Sequence, residues 1–430
     1  MEQLIVVGNG LDLAAGLHTK YDDFFRWLKN NMGEIDYSHS LGNMYFSSYI
    51  YGTIELNKNG NLTTKFAEMF DFWSGWFLTI SNNKFMDDPV EWNDVENQID
   101  KVLRHLIEYG EDTDYRSLIE SFKNNIGEDD RGWRKSFSKS VDYYFRDWLF
   151  YLYIESGEQG TNKDIDFYKI LLDELNKFEA KFAQYLCDEV ISEQKVSQLI
   201  REIPNELYDR RKLLENIIED ESFSLDDTQV LNFNYTPIFK VFGVEQGFEK
   251  LEENIRYIHG SLKEDVENKK YIPNQVIFGI DDTALIDDDE SDLLRENLYR
   301  FGKTYRIMNS KDESSLDLNR KIEMIKFYGH SLNSADYAYF QSIFDKVDLY
   351  GSNVELYFYY GDFEKDDSEN QSKFMDRIYK LIGTYGQNTF KNTSEVKGKN
   401  LLHKLLLEGR IKTRYVSAKG VVSDSRELKI

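Results

Sequence analysis

Gln3-Leu4-Ile5-Val6-Val7-Gly8-Asn9-Gly10-Leu11-Asp12-Leu13 is the stretch that decides how this chain folds. Leu4 to Val7 is apolar without alternation, the pattern of a strand covered on both faces. Gly8 and Gly10 then supply the backbone angles and close approach that a tight strand-to-helix turn needs. Leu11–Gly16 opens a helix straight from them. The N–H groups and positive dipole end of such a helix suit a phosphate. The same turn can equally stand without a ligand, because it lacks the third glycine of the dinucleotide fingerprint. Asp12 would oppose a nearby phosphate and also reads as a helix cap.

Working outward, the arrangement recurs. Gln229–Phe233 leads into Asn234-Tyr235-Thr236, Asn254–Ile258 into His259-Gly260-Ser261, and Glu323–Tyr328 into Gly329-His330-Ser331-Leu332. Gln275–Phe278 and Asn353–Tyr360 are further strand-like runs, rich in β-branched and aromatic residues. Helical stretches follow most of them: Thr19 as cap of a helix to about Leu28, then Pro237–Leu251, Ala284–Arg300, Ser334–Val347 and Lys373–Gly383. Strand, tip, helix, strand predicts an α/β fold, a doubly wound Rossmann-like parallel sheet of about six strands. Open sheets of this kind bind ligands beyond the carboxyl ends of their strands. Four tips with glycine pairs, two amides and two imidazoles predict one nucleotide pocket.

Residues 36–227 read differently. Val95, Ile99, Val102, Leu103, Leu106 and Ile107 form a helical stripe. Ser136–Tyr153, Phe167–Glu193 and Val196–Ile218 are also helical in pattern. The expected organisation is a discontinuous nucleotide-binding domain (1–35 and 228–385), a mostly helical insertion (36–227) and a C-terminal extension (386–430). The aromatics Phe72, Trp73, Trp76, Phe77, Tyr143, Tyr144 and Trp148 are expected to be core. Leu401–Leu407 is expected to pack as a helix or to make an assembly contact.

Composition narrows the function. The 430 residues carry a net charge of −24, which argues against non-specific nucleic-acid binding. Cys187 is the only cysteine, so neither a disulfide framework nor a cysteine zinc site is expected. No basic leader precedes an apolar run and no run nears the ~20 residues of a membrane span. A cytoplasmic protein without membrane contact is therefore expected. No histidine pair has metal-ligand spacing, so no metal is predicted.

Among single residues, His259 suits general-base work, displayed at a tip beside Gly260. His330 is a second pocket candidate, for binding. Asn234 can hold a ribose hydroxyl or a water, or simply stabilise its own turn ahead of Pro237. Asn93 and Glu96 read as a capping box, or Asp94 or Glu96 reaches over the pocket.

These residues carry a resemblance. Gly8-Asn9-Gly10-Leu11-Asp12-Leu13, Ala15-Gly16-Leu17, Tyr21-Asp22-Asp23-Phe24, the Trp92-x-Asp94-x-Glu96 segment, Asn234-Tyr235, His259-Gly260-Ser261-Leu262 and Gly329-His330-Ser331-Leu332 resemble the bacteriophage abortive infection AbiH family. That family in turn resembles sirtuin-like NAD-binding domains. Gly8-Asn9-Gly10 stands for the sirtuin glycine turn, Asn232-Phe233-Asn234-Tyr235-Thr236 for T-Q-N-x-D, His259-Gly260 for the catalytic H-G, Ile277-Phe278-Gly279-Ile280 for F-F-G-E and Gly329-His330-Ser331-Leu332 for G-T-S-L. Thr236 and Ile280 depart from the acidic residues of those motifs, and no four-cysteine module follows His259, which speaks against protein deacylation.

The resemblance implies a sirtuin-like NAD+ glycohydrolase with NAD+ as substrate. His259 and Asn234 would be catalytic. Gly8, Asn9 and Gly10 would bind the pyrophosphate, Asp23 the nicotinamide ribose, and Gly260, Gly329, His330 and Ser331 the rest of the nucleotide. It further implies a phage-derived trigger and allows a homo-oligomer. Two other functions fit the same residues: a non-catalytic sensor of NAD or ADP-ribose, and a protein whose insertion engages a phage component.

Overall fold

The computed structural model describes residues 2–31, 54–56, 62–64, 71–81, 95–112, 151–154, 156, 166–192, 210–238, 251, 253–265, 270–273, 276–280, 297–309, 321–332, 336–361, 368–391, 395–416 and 422–424. The chain forms two compact units. One comprises Met1–Thr19, Ala183–Ile277 and Ile307–Ile430; the other comprises Lys20–Phe182 and Phe278–Arg306.

The main strands are β1 (Glu2–Val7), β2 (Thr228–Asn232), β3 (Ile255–Tyr257), β4 (Ile322–Tyr328), β5 (Glu355–Tyr360), β6 (Ile411–Val416) and β7 (Val422–Asp424). The helices used below are α1 (Gly10–Ala14), α2 (Tyr21–Asn31), α3 (Phe72–Ser81), α4 (Val95–Asp112), α5 (Phe167–Tyr185), α6 (Arg210–Glu219), α7 (Lys303–Met308), α8 (Tyr337–Lys346), α9 (Ser368–Phe390) and α10 (Glu395–Leu407).

The first unit is built on one sheet, ordered β7-β6-β5-β4-β1-β2-β3. Six strands run parallel, and β7 is an antiparallel edge on β6. Successive residues of a strand point to opposite faces, and both faces are covered. Leu4, Val6, Leu231 and Phe327 pack with Phe340 and Phe344 of α8, Ile378 and Ile382 of α9, and Leu401 and Leu405 of α10. Ile5, Val7, Val230 and Met324 pack with Leu11 of α1 and Leu213, Leu214, Ile217 and Ile218 of α6. This explains the unbroken apolar run of β1, whose Leu4 to Val7 are all fully buried.

Lys326 of β4 is also fully buried. Its ammonium donates to the carbonyls of Ile217 and Asp220 at 2.7 and 2.6 Å, and Gln3 donates to that of Ile218 at 2.9 Å. The sheet thus supplies the donors that the carbonyl end of α6 requires. Burial pushes the Lys326 ammonium down to about 8 against the pull of Asp220 and Glu221.

Two expectations about strands are corrected. In Gln275–Phe278, the described residues are not a strand of the sheet: Val276 makes a single bridge to Gly260, and the Ile277 amide donates to the His259 carbonyl at 3.0 Å. β3 is only three residues long, so there is no ladder there to extend. The sheet strands missing from the expectation are the parallel β6 and the antiparallel β7, both within the C-terminal extension; β6 is the longer. Its Lys412 and Arg414 interrupt any apolar pattern, but both cations lie over the ring of Tyr357, 4.8 and 5.5 Å from its centre. Leu401–Leu407 is helical as expected, with Leu401 and Leu405 in the core and Leu406 and Leu407 exposed.

In the second unit, Phe24 and Phe25 of α2, Phe77 of α3 and Phe178 and Phe182 of α5 form a cluster with Phe278. Phe72, Trp73, Trp76 and Phe77 are buried, as expected of core residues; Tyr143, Tyr144 and Trp148 lie outside the described residues. Asp71 caps α3 by accepting from the Ser74 amide at 2.7 Å. Glu179 accepts from Arg306 through both oxygens, at 2.6 and 2.8 Å, and from the Phe278 amide at 2.6 Å. Burial outweighs these partners and pushes its carboxyl up to about 7.

Much of the expected Pro237–Leu251, Ala284–Arg300, Ser136–Tyr153 and Val196–Ile218 helices, and all of Trp92-Asn93-Asp94, lie outside the described residues. Glu96 is described, and its carboxylate sits 2.8 Å from the Lys303 ammonium within the second unit.

Candidate functional site

The register of the sheet sets the site. Tyr328, Val7, Asn232 and Tyr257 stand side by side across β4, β1, β2 and β3. Asn9, Asn234, His259 and His330 are each the second residue beyond that row. Four distant segments therefore deliver their polar residues at one level, past the carboxyl ends of adjacent parallel strands.

Between β1 and β4 the two tips pack backbone on backbone. The Gly8 amide donates to the Tyr328 carbonyl at 3.0 Å and the Gly10 amide to that of Gly329 at 2.8 Å, while the Leu11 amide turns back to Gly8 at 3.0 Å. A Cβ on Gly8 would lie 2.5 Å from the His330 Cα, and one on Gly329 would lie 2.7 Å from the Leu11 nitrogen. Gly329 also has φ +66°, a left-handed conformation. The glycines are thus required by each other. Asn9 is engaged as well: the Thr19 hydroxyl donates to its carbonyl oxygen at 2.5 Å. Thr19 spends its hydroxyl there rather than capping α2.

At the β2 tip, Asn232 makes the turn. Its carbonyl oxygen accepts from the Asn234 amide at 2.9 Å, and its side-chain nitrogen reaches the Thr236 carbonyl at 3.3 Å. The Thr236 hydroxyl donates to Asp12, which is buried. Asn234 itself is 3 % exposed. Neither its side-chain oxygen nor its side-chain nitrogen has a hydrogen-bond partner among the described residues. Buried polar groups are rarely left so. The turn-stabilising role considered for Asn234 thus belongs to Asn232.

His259 and His330 come together on a carboxylate that no motif announced. Nε2 of His259 lies 3.1 Å from Oδ1 of Asp336, and Nε2 of His330 lies 3.3 Å from Oδ2. All three residues are at least nine-tenths buried. Asp336 precedes α8 but makes no capping hydrogen bond with it. Phe233 lies edge-on to both imidazoles, 5.5 and 4.5 Å between ring centres. The Leu332 amide donates to Nδ1 of His330 at 2.9 Å. Leu332 has φ +56°, a conformation that costs a non-glycine residue roughly 1–2 kcal/mol. Backbone strain of this kind clusters at functional sites.

Of the remaining candidates, Gly260 has φ +77° at the β3 tip, and Ser331 is exposed beside His330. Asp23 belongs to the second unit, where it lies 3.3 Å from Arg26 on α2. Sequence reasoning missed Asp336 and the pairing of Asp12 with Thr236. Asp336 lies inside the expected Ser334–Val347 helix and belongs to none of the tip motifs, so no local signal singled it out. Among the described residues, no group of three or more His, Cys, Asp or Glu is disposed to hold a metal ion, and no helix is long and apolar enough to cross a membrane.

Fold and site define an α/β protein with a parallel sheet and a buried polar cluster beyond its strand ends. A family model described as bacteriophage abortive infection AbiH matches residues 4–360, from within β1 to the last residue of β5. The chain belongs to the AbiH family, which points to antiphage abortive infection. No significant match was found among curated proteins or among solved structures.

Proposed function

We propose that this abortive-infection protein is a triggered NAD+ glycohydrolase, cleaving the nicotinamide–ribose bond beyond the carboxyl ends of β1 to β4. The observation that carries the reading is Asn234: a buried side-chain amide with both polar atoms unpartnered among the described residues. It stands level with an imidazole held by a carboxylate. The order β3-β2-β1-β4-β5-β6 supports it further, since doubly wound dinucleotide-binding sheets use this order and bind where it reverses. Here it reverses between β1 and β4.

The departing nicotinamide is already uncharged once it leaves, so no general acid is required. The transition state is oxocarbenium-like at the ribose. His259 removes a proton from a ribose hydroxyl or from water, and Asn234 orients that group. Loss of a general base costs ~10²–10⁴ in rate. His259→Ala should therefore nearly abolish nicotinamide release while leaving the circular dichroism spectrum unchanged. Wild-type turnover in a folded His259→Ala protein would sink the assignment. A phage-derived trigger follows from the proposed activity, because unchecked NAD+ loss would kill the host. The assay therefore needs infected lysate beside buffer.

One observation favours a second reading, a nucleotide sensor without catalysis. The amides of Gly8, Gly10 and Leu11 all donate to protein carbonyls, so the glycine turn does not offer these donors to a pyrophosphate. NAD+ binding by fluorescence, with no nicotinamide released in infected lysate, would support the sensor.

A further inference from the structure

Two hydrogen bonds, Leu332 to His330 and His259 to Asp336, together with the close approach of His330 to the same carboxylate, fix where the protons of two imidazoles sit. The Leu332 amide donates to Nδ1 of His330 at 2.9 Å. An N–H donates only to a lone pair, so that nitrogen carries no proton. In the neutral ring the proton is then on Nε2, which faces Oδ2 of Asp336 at 3.3 Å. The His330 ring is therefore held with its Nε2–H toward the carboxylate, because a proton on Nδ1 would set two N–H groups against each other. The second carboxylate oxygen, Oδ1, is 3.1 Å from Nε2 of His259. An ionised carboxylate only accepts. Nε2 of His259 thus also carries a proton, and the lone pair of its neutral ring falls on Nδ1.

We propose that Asp336 and His330 are positioning residues that hold His259 in its Nε2–H tautomer and leave Nδ1 as the atom that takes up a proton. When Nδ1 accepts it, His259 becomes an imidazolium whose charge Asp336 faces directly. That Nδ1 is the reacting atom rests on the reaction proposed above; the two tautomers do not.

The test uses the full chain labelled with ¹⁵N in its 6 histidines. Long-range ¹H–¹⁵N correlation reports which ring nitrogen bears the proton, and the loss of signals in His259→Asn and His330→Gln assigns them. Both rings are expected as Nε2–H tautomers in the unsubstituted protein. A proton on Nδ1 of either neutral ring overturns the proposal without any variant having to fold. In folded Asp336→Asn, the His259 signals should move toward an average of the two tautomers; an unchanged tautomer overturns the role of Asp336. His330→Gln keeps one acceptor for Leu332 and one donor for Asp336, so it should preserve the His259 tautomer, whereas His330→Ala should not. Equal spectra from those two variants overturn the role of His330. None of these measurements uses a nucleotide. An absence of nicotinamide release would therefore remove the proposed reaction and leave this arrangement intact.

Discussion

Gly329→Ala tests the packing on which the site depends. Gly329 and Gly409 share the same left-handed φ, +66°. An added Cβ at Gly409 meets nothing within 4 Å, whereas at Gly329 it would lie 2.7 Å from the Leu11 nitrogen and 2.8 Å from the Gly10 Cα. The left-handed conformation alone costs an alanine about 1–2 kcal/mol. Forcing an extra carbon into packed backbone adds about 1–3 kcal/mol. Gly409→Ala should therefore lose about 1–2 kcal/mol and Gly329→Ala about 2–5 kcal/mol. The two variants share the conformational cost, so their difference isolates the contact between the β1 and β4 tips. Equilibrium urea unfolding reads it, provided the slope is unchanged. A midpoint for Gly329→Ala no lower than that for Gly409→Ala would refute the claim that the two tips touch backbone to backbone.

Asn234→Leu should hold or raise stability, because it removes two buried polar atoms that lack partners among the described residues, a penalty of about 1–3 kcal/mol, while lowering NAD+ binding; a clear loss of stability would show that the amide is satisfied. Burial raises Glu179 to about 7, so between pH 4.5 and 7 the folded chain holds a proton that the unfolded chain has released, and this contribution is present below pH 4.5 and lost as pH rises through 7. The stability of the unsubstituted protein relative to Glu179→Gln should therefore fall over that window, by up to about 3 kcal/mol, and a pH-independent difference would contradict it. Arg306→Ala leaves Glu179 buried without its cation and should cost about 3–5 kcal/mol, seen as a lowered thermal midpoint; a loss under 1 kcal/mol would mean that the pair is solvated.

Five of the seven sheet strands and the four tips were legible in the sequence. An unbroken apolar run such as Leu4–Val7 is the local signature of a strand buried on both faces, and a glycine turn is the local signature of its sharp exit. The AbiH motifs and the carboxyl-end residues Asn234, His259 and His330 were legible for the same reason. β6 was not, because its charged residues are sheltered by Tyr357 of a neighbouring strand rather than by anything in their own segment. Which of these segments meet is set by long-range packing. Glycine's missing Cβ serves a ligand or another backbone equally well, and it is the pairing of β1 with β4 that presses Gly8 and Gly10 against Gly329. Nothing in the spacing of residues 259, 330 and 336 encodes a shared carboxylate. That meeting follows from the order β4-β1-β2-β3 and from the path of the chain into α8. These are products of long-range strand pairing and of burial summed over both faces of the sheet, which no local pattern records.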